Sequence, residues 1–579
     1  MDTTMKKSGL RQHFLNWYNN TTLIRSDAQI QREKYLFGTL GIEKGPEFNR
    51  WALLPAAVLI QLSVGSLYAW SNYNSPLDSL MWGADNFKAN PSLAQAPNVF
   101  YVAVGFFGLS AATLGPWLER RGPVQALLLG VTLFMLGHIV AAIGAFTQVY
   151  ALVFIGYGCI AGIGFGLTYI SPVSPLQKWF PDRRGLASGF AVAGFGGGTT
   201  VASYYISYLI TTYGVGYSFL ITGITYAGIM YTLIPIFRVP PPGYTVKNIA
   251  VDVVKGAEAV VASPVNSPVS SPTREKAEKS EKDVVVIQED TNIAIKDLFN
   301  RRDLLELVTS MDFILMYLML MANSITGLLI VSRLSNMVQQ LFGKPAYEGT
   351  TMVAINSLVN MAGRIIFSSM SDIFGRRPMF IFTLTVQIAS IYGILASAHQ
   401  GVYGGFLFCI FCATMCYGAG FGLIPAFLAD MFGAKMTGAT HGFILTAWSF
   451  DGVVGGLIFT AIYNSQIHKI PGTTLVDPAS YDVDFYWVSA IVIMGWIVTV
   501  LFVRTDLKAR FLPLHKGEII RSRLFGSLFL IGTFGIRRMT KDEEEKEWNE
   551  YLIKAQTGQV IVGKLLNGGR PRGVTAGSA

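Results

Sequence analysis

Residues Glu348–Pro378 read EGTTMVAINSLVNMAGRIIFSSMSDIFGRRP, an apolar run of helix length with a lone arginine, Arg364, inside it, closing on Ser371-Asp372 and Gly375-Arg376-Arg377. The hydrocarbon core of a membrane tolerates a charge only where it is paired or lines a wet cavity, so an intramembrane arginine is a functional candidate by default. Its planar fork of donors fits a carboxylate. Arg364 therefore reads as the anchor for a small organic anion that crosses the membrane. The plainer alternative is a guanidinium that bonds neighbouring carbonyls or an acid and holds helices together.

The totals place the rest of the chain in the same setting. Of 579 residues, 51% are apolar and 14% charged, with mean hydropathy +0.43. A soluble globule of that composition would carry a mostly oily surface. The net charge of +9 lies in short loops and tails, which argues for orientation in a membrane and against nucleic acid. Cys159, Cys409, Cys412 and Cys416 all fall inside apolar segments. Cys409 and Cys412 form a C-x-x-C with no histidine or strand-turn-helix context, so packing is expected of them, with no disulfide, metal or cofactor. The N-terminus carries Lys6, Lys7, Arg11, Arg25 and Arg32 and no apolar core before Trp51, unlike a cleaved secretory signal. A transit peptide stays open, with Asp2, Asp27 and Glu33 counting against it.

A spanning helix needs about 20 mostly apolar residues. Twelve segments qualify: 51–72, 98–118, 124–146, 150–177, 185–212, 216–237, 309–332, 349–370, 378–397, 402–428, 437–463 and 485–503. The expected fold class is an all-α membrane protein of twelve transmembrane helices in two six-helix bundles, 51–237 and 305–503. Residues 1–50 form an N-terminal tail. With that tail in the cytosol, Arg120, Arg121, Lys178, Arg183, Arg184, Arg376, Arg377 and Lys435 fall in inner loops, against Lys88, Arg333, Lys344 and Lys469 outside; the bias puts both termini inside. Whether the membrane is the plasma membrane or an organellar one is left open. Residues 238–304, with Pro240-Pro241-Pro242 and SPVNSPVSSPTREKAEKSEK, read as a flexible cytosolic linker. Ser263, Ser267 and Ser271 within it, each before a proline, are candidate phosphorylation sites. The tail 504–579 holds an apolar stretch, Leu524–Ile536, between Arg521, Arg523, Arg537 and Arg538. It is too short to span, so an interfacial helix is expected there.

The halves echo each other. GPWLERRGP at 115–123 follows the second helix as SDIFGRRP at 371–378 follows the eighth, an internal repeat of the kind that builds two-bundle transporters with a site between the bundles. Glu119, Arg120, Arg121, Asp372, Arg376 and Arg377 are the expected gating loops.

These features resemble the major facilitator superfamily over nearly all of 51–503, although Glu119 stands where an aspartate is usual and Pro123 where a basic residue is common. Within it, GSLYAWSNYNSPL at 65–77, YISPVSPLQKWFPDRRGLASGFAVAGFGGG at 169–198 and NMAGRI at 360–365 are similar to the oxalate/formate antiporters and the monocarboxylate transporters. The resemblance implies that Arg364 binds substrate carboxylate, that Tyr68 and Tyr169 are cavity tyrosines, and that Tyr417 and Phe421 form an aromatic wall. In the oxalate-specific member a lysine on helix 11 grips a second carboxylate; the matching residue here is Trp448. Burying a second carboxylate unpaired costs several kcal/mol, so a monocarboxylate of the pyruvate, lactate or formate type is expected.

Other residues have two readings each. Tyr68, Trp70, Tyr169, Tyr417 and Trp448 could form a cage around a small carbon skeleton, or pack as membrane aromatics do. Gln61, two turns before Tyr68, is a cavity residue or a tie between helices. Asp451, one turn after Trp448, is a candidate proton carrier. His441 is a second candidate, with an interface histidine as its alternative; Asp312 is read as an interface residue. Glycines Gly162, Gly164 and Gly166 with Gly194, Gly196, Gly197 and Gly198 lack a preceding strand and do not form a phosphate loop. They are expected to let helices 4 and 5 approach closely, and Gly418, Gly420 and Gly422 to give helix 10 a flexible point.

The expected function is an alternating-access carrier of small monocarboxylates, by proton symport or anion exchange. Its partners are the anion, protons as co-substrate candidates and the lipid bilayer, and it is expected as a monomer. A carrier of a different solute such as an amino acid or sugar, an oxalate/formate-type dicarboxylate exchanger and a non-transporting nutrient sensor are the alternatives. No nucleophile-base pair or metal-ligand spacing outside the membrane points to an enzyme.

Overall fold

The computed structural model describes residues 23–89, 95–247, 249–250, 304–468, 470–471, 475–515, 517–524, 526–533 and 535–556. The linker serines lie outside the described residues. The first half contains α1 (Arg50–Trp82), α2 (Ala96–Arg121), α3 (Pro123–Phe146), α4 (Tyr150–Trp179), α5 (Arg184–Tyr213) and α6 (Val215–Ile236). The second contains α7 (Met311–Phe342), α8 (Ala346–Phe374), α9 (Arg376–His399), α10 (Tyr403–Phe432), α11 (Ala434–Gln466) and α12 (Ala479–Leu501). Eleven of these are apolar enough to cross a membrane by composition. The twelfth, α5, is diluted by glycine, serine and threonine but is 30 residues long. Large apolar side chains such as Leu109, Leu128, Phe382 and Met494 stand exposed on the outer faces, as a lipid-facing surface requires.

The repeat is visible in the backbone. Gly122 ends α2 at φ 85° and Gly375 ends α8 at φ 90°, a left-handed turn in which a side chain would be strained. Three helices depart from regular winding in their interiors: α1 tightens to a 3₁₀ turn over Gly65–Trp70, while α4 and α11 widen to π turns over Phe154–Ala161 and Asp451–Gly455. Such irregularities concentrate at functional sites.

The halves meet chiefly along two helix pairs. A Cβ on Gly115 would lie 2.8 Å from Ala439 Cα, and one on Gly442 would lie 2.0 Å from the Ala111 carbonyl oxygen, which seats α2 against α11. Gly189 and Gly196 seat α5 on Ile365, Arg364 and Asn360 of α8. This corrects the expected role of the glycines. Gly194 and Gly198 of α5 fit against Val58, Leu62 and Gly65 of α1, whereas Gly162 and Gly166 of α4 face α2 and Gly164 faces α3. The small residues bring each helix close to a different neighbour, because α5 lies at the interface between the halves.

The tail also corrects an expectation. Instead of an interfacial helix, the described residues of 524–536 lie in or between strands of an antiparallel sheet of β1 (Glu518–Leu524), β2 (Ser527–Gly532) and β3 (Gly535–Arg538), followed by a helix, α13 (Lys541–Gln556). Leu528 and Leu530 are buried while their neighbours are half-exposed, a period of two that a helix cannot satisfy. The basic flanks bond protein: Arg521 pairs with Glu518 and Glu547, and Arg523 with Asp506 and Glu544. Asp312 at the start of α7 accepts from Arg504 and Arg510 at 2.7 and 3.2 Å, so it anchors the tail rather than lying at a lipid interface.

Candidate functional site

Arg364 is fully buried on α8, where the two halves touch. Its Nε donates to Asn360 Oδ1 at 2.9 Å, one turn back on the same helix, and Nη1 donates to the Val192 carbonyl of α5 at 3.1 Å. Nη2 has no hydrogen-bond partner among the described residues, and no described carboxylate pairs with the guanidinium. Its carbon lies 4.9 Å from the Phe421 ring centroid and 5.5 Å from that of Phe195, a cation held between two aromatic faces. Gly196 makes the room: a Cβ there would meet Arg364 Nε at 2.9 Å and Asn360 Oδ1 at 2.4 Å.

Aromatic rings from both halves enclose this group. The Tyr68 and Tyr417 hydroxyls meet at 2.8 Å across the interface, and Trp448 Nε1 donates to Tyr417 at 3.2 Å. Phe195 packs edge-on against Tyr68 and Tyr169 at 4.8 and 5.0 Å, and Phe107 against Trp448 at 5.0 Å. The 3₁₀ turn of α1 carries Tyr68, and Gly327 of α7 leaves space for the Tyr417 ring. Tyr68, Tyr169, Tyr417, Phe421 and Trp448 thus lie together with Arg364. Trp70 does not: it donates to the Ala96 carbonyl and packs at a tilt against Tyr157 within the first half.

Sequence reasoning missed Asn360, Phe107 and Phe195. Phe195 carried a signal, since a lone aromatic inside the glycine run AGFGGG must project across the close contact that the glycines create. Gln61 donates to the Tyr169 carbonyl at 2.8 Å and so ties α1 to α4 beneath the cage. The Tyr169 hydroxyl and both His441 ring nitrogens are buried without partners among the described residues. The two rings lie 5.8 Å apart, which puts His441 in the wall of the cage and not at a membrane interface. Asp451, in the π turn of α11, is buried and accepts from Ser324 of α7, away from Arg364.

At the end of the molecule where the described N-terminal and tail segments pack, carboxylates lock the halves together. Asp372 of α8 accepts from the Gly185 and Leu186 amides, the start of α5, at 2.9 and 3.1 Å. Asp430 of α10 accepts from Arg184 of α5 at 3.0 Å and from Arg376 at 2.8 Å. Glu119 of α2 pairs with Lys178 and accepts from the Gly438 amide of α11 at 2.6 Å. Two other expected gate residues, Arg377 and Arg121, do different work. Arg377 donates to the Thr499, Val500 and Arg523 carbonyls, within the second half and its tail. Arg121 is exposed and makes no bond to the second half among the described residues. The reason is register: the paired arginines precede the turn glycine Gly122 in the first half and follow Gly375 in the second.

A family model described as the Major Facilitator Superfamily matches residues 48–460. The chain is 25% identical over 418 residues to the oxalate:formate antiporter of Oxalobacter formigenes, covering 72% of this chain and 85% of that protein. It is 33% identical over 122 residues to apicoplast pyruvate carrier 1 of Toxoplasma gondii, 20% of this chain and 22% of that one. Among solved structures, the proton:xylose symporter XylE bound to 6-bromo-6-deoxy-D-glucose is similar in fold, with a TM-score of 0.55 at 12% identity over 78% of this chain and 96% of that one. The family match, the two six-helix halves and the interface between them agree: the chain is a multi-pass membrane protein and belongs to the Major Facilitator Superfamily of transporters.

Proposed function

We propose that the chain carries small monocarboxylates of the pyruvate, lactate or formate type by alternating access, with both termini in the cytosol. The observation that carries this reading is Arg364, buried between Phe195 and Phe421 with Nη2 unbonded and no described carboxylate paired to it. A fixed buried cation of this kind favours a carboxylate that neutralises it. The Tyr169 hydroxyl offers a second bond, and the rings around it suit a small carbon skeleton. Among the described residues Arg364 is the one arginine or lysine in the cage, so a dicarboxylate would leave one carboxylate unpaired at a cost of several kcal/mol. Asp451, a buried acid with a hydroxyl partner, is the candidate proton carrier for symport.

The dicarboxylate exchanger stands as the second reading because the oxalate:formate antiporter aligns over 72% of the chain. Uptake of labelled pyruvate, formate, oxalate and a neutral sugar into proteoliposomes, with and without a pH gradient, separates the two. Monocarboxylate uptake abolished by Arg364→Ala is the expected result. Sugar uptake that survives Arg364→Ala, or oxalate taken up in preference to pyruvate, removes the proposal.

A further inference from the structure

An N-terminal arm, residues 23–41, folds back over the ends of α2, α3 and α6. It includes a short helix, Asp27–Arg32. Arg238 fastens it by donating to the Glu33, Tyr35 and Leu36 carbonyls, and Arg25 by donating to the Val239 and Pro240 carbonyls. Beneath the arm is a cavity of about 290 Å³ whose charged lining is Arg25, Arg32, Arg121, Arg238 and a single acid, Glu33. Four cations against one carboxylate in so small a space repel one another unless an anion enters.

The four arginines divide by what they already hold. Arg25 and Arg238 bond carbonyls and form the wall. Arg32 has only a 3.4 Å bond from Nε to the Ala28 carbonyl and a 4.0 Å approach to Glu43, so the outer nitrogens of its fork are open. Arg121 has no hydrogen bond or ion pair to any described residue. The first turn of α3, from Pro123 to Gln125, completes the rim.

The internal repeat indicates where the anion comes from. Counting from the turn glycines, Arg120 and Arg121 match Ile373 and Phe374 of the second half, which stand 81% and 59% exposed. Apolar side chains so exposed at the end of a spanning helix face lipid. The matched arginine then stands at headgroup level. Along the arm and directly after it, Ile24, Leu40 and Ile42 are also exposed, at 88%, 62% and 47%, next to residues that line the cavity.

We propose that this cleft binds a phosphate-bearing anion, presented as the headgroup of an anionic lipid in the facing leaflet. Arg32 and Arg121 take the phosphate oxygens and the exposed apolar side chains of the arm enter the acyl layer. The site is remote from Arg364 and independent of which solute is carried.

The test uses the full-length chain in detergent and measures binding of short-chain phosphatidic acid, glycerol phosphate and short-chain phosphatidylcholine. Saturable binding of phosphatidic acid, weaker binding of glycerol phosphate and none of phosphatidylcholine is expected. Arg121→Gln and Arg32→Gln each weaken phosphatidic acid binding about tenfold, while Lys541→Gln, an exposed charge on the tail, does not. Because Arg32 and Arg121 support little or nothing in the protein, these variants keep the fold. Glycerol phosphate bound as tightly as phosphatidic acid, and lost in both variants, would keep the phosphate cradle and overturn the lipid source. Phosphatidic acid bound equally well by the Arg32→Gln, Arg121→Gln double variant overturns the site.

Discussion

The carboxylates that lock the halves together differ in how many of their bonds cross the interface, and this sets a ranking. Only bonds that break on opening shift the equilibrium between closed and open states. Asp372 makes two crossing bonds, to the Gly185 and Leu186 amides. Asp430 makes one, to Arg184, because Arg376 belongs to its own half; Glu119 makes one, to the Gly438 amide. Replacing a carboxylate by its amide turns a charge-assisted bond worth about 1.5–3 kcal/mol into a neutral one worth about 0.5–1.5. The loss is about 1–1.5 kcal/mol per crossing bond, or roughly tenfold. Asp430→Asn and Glu119→Gln, whose remaining oxygen can still take the one crossing donor, therefore raise the open population about tenfold. Asp372 takes the Gly185 amide on Oδ1 and the Leu186 amide on Oδ2, so in Asp372→Asn one amide meets an NH2 and its bond is lost outright; the rise is roughly a hundredfold or more before partial solvent exposure reduces it. Ser188, buried on α5 one turn inward from Arg184, reports this opening. With Ser188→Cys in a chain whose native cysteines are alanine, the thiol-labelling rate should rise in that order. Equal rates for Asp372→Asn and Asp430→Asn would refute the counting of crossing bonds, and no change in any variant would refute the lock.

Three further outcomes follow from single sites. In Gly327→Ala the new methyl would lie 1.9 Å from Tyr417 Cγ, so the ring must move and lose the Tyr68 hydroxyl. Overpacking of this kind costs about 1–3 kcal/mol, and uptake should fall with little loss of thermal stability beyond that figure. Asp451→Asn keeps an acceptor for Ser324 and should abolish the dependence of uptake on an imposed pH gradient; uptake that still follows the gradient removes Asp451 as proton carrier. On the tail, burial raises the Glu547 carboxyl, but Arg521 and His515 outweigh it and hold the group below the usual range. A depressed carboxylate stabilises the folded state above its unfolded pKa, about 4.3, and that contribution is lost as pH falls through the lower folded value. Proteolysis of the tail should accelerate below about pH 4.3, and Glu547→Gln should reproduce the loss at neutral pH.

The fold was legible because hydrophobic length is a strong signal in a membrane chain: a spanning segment must satisfy its backbone internally and cover itself in apolar side chains. Arg364 was legible for the converse reason, as a charge where charges are costly. What escaped depends on which neighbour a residue meets. The glycines of α4 and α5 announce close contacts, but spacing along one helix does not tell α1 from α4 as the partner. Arg121 and Arg377 look alike in sequence, yet a shift relative to the turn glycine sends one to the arm and the other to α12. The tail sheet was hidden by a length argument that left out the alternation at Leu528 and Leu530.

Arg364 itself links the cage to the lock. Its backbone belongs to the second half, but Nη1 bonds the Val192 carbonyl of the first, and Val192 lies on the helix whose first amides are held by Asp372. A carboxylate that takes both outer nitrogens of the guanidinium must compete with that carbonyl, and a charged partner outbids a neutral one. Binding then removes a crossing bond at the centre of the interface, and a ligand shifts the halves only by such a difference in contacts. On the proposed reading, pyruvate should raise the Ser188→Cys labelling rate in the otherwise native gate and leave it unchanged in Arg364→Ala. A neutral sugar that gives the same increase would show that the interface opens without the guanidinium being engaged.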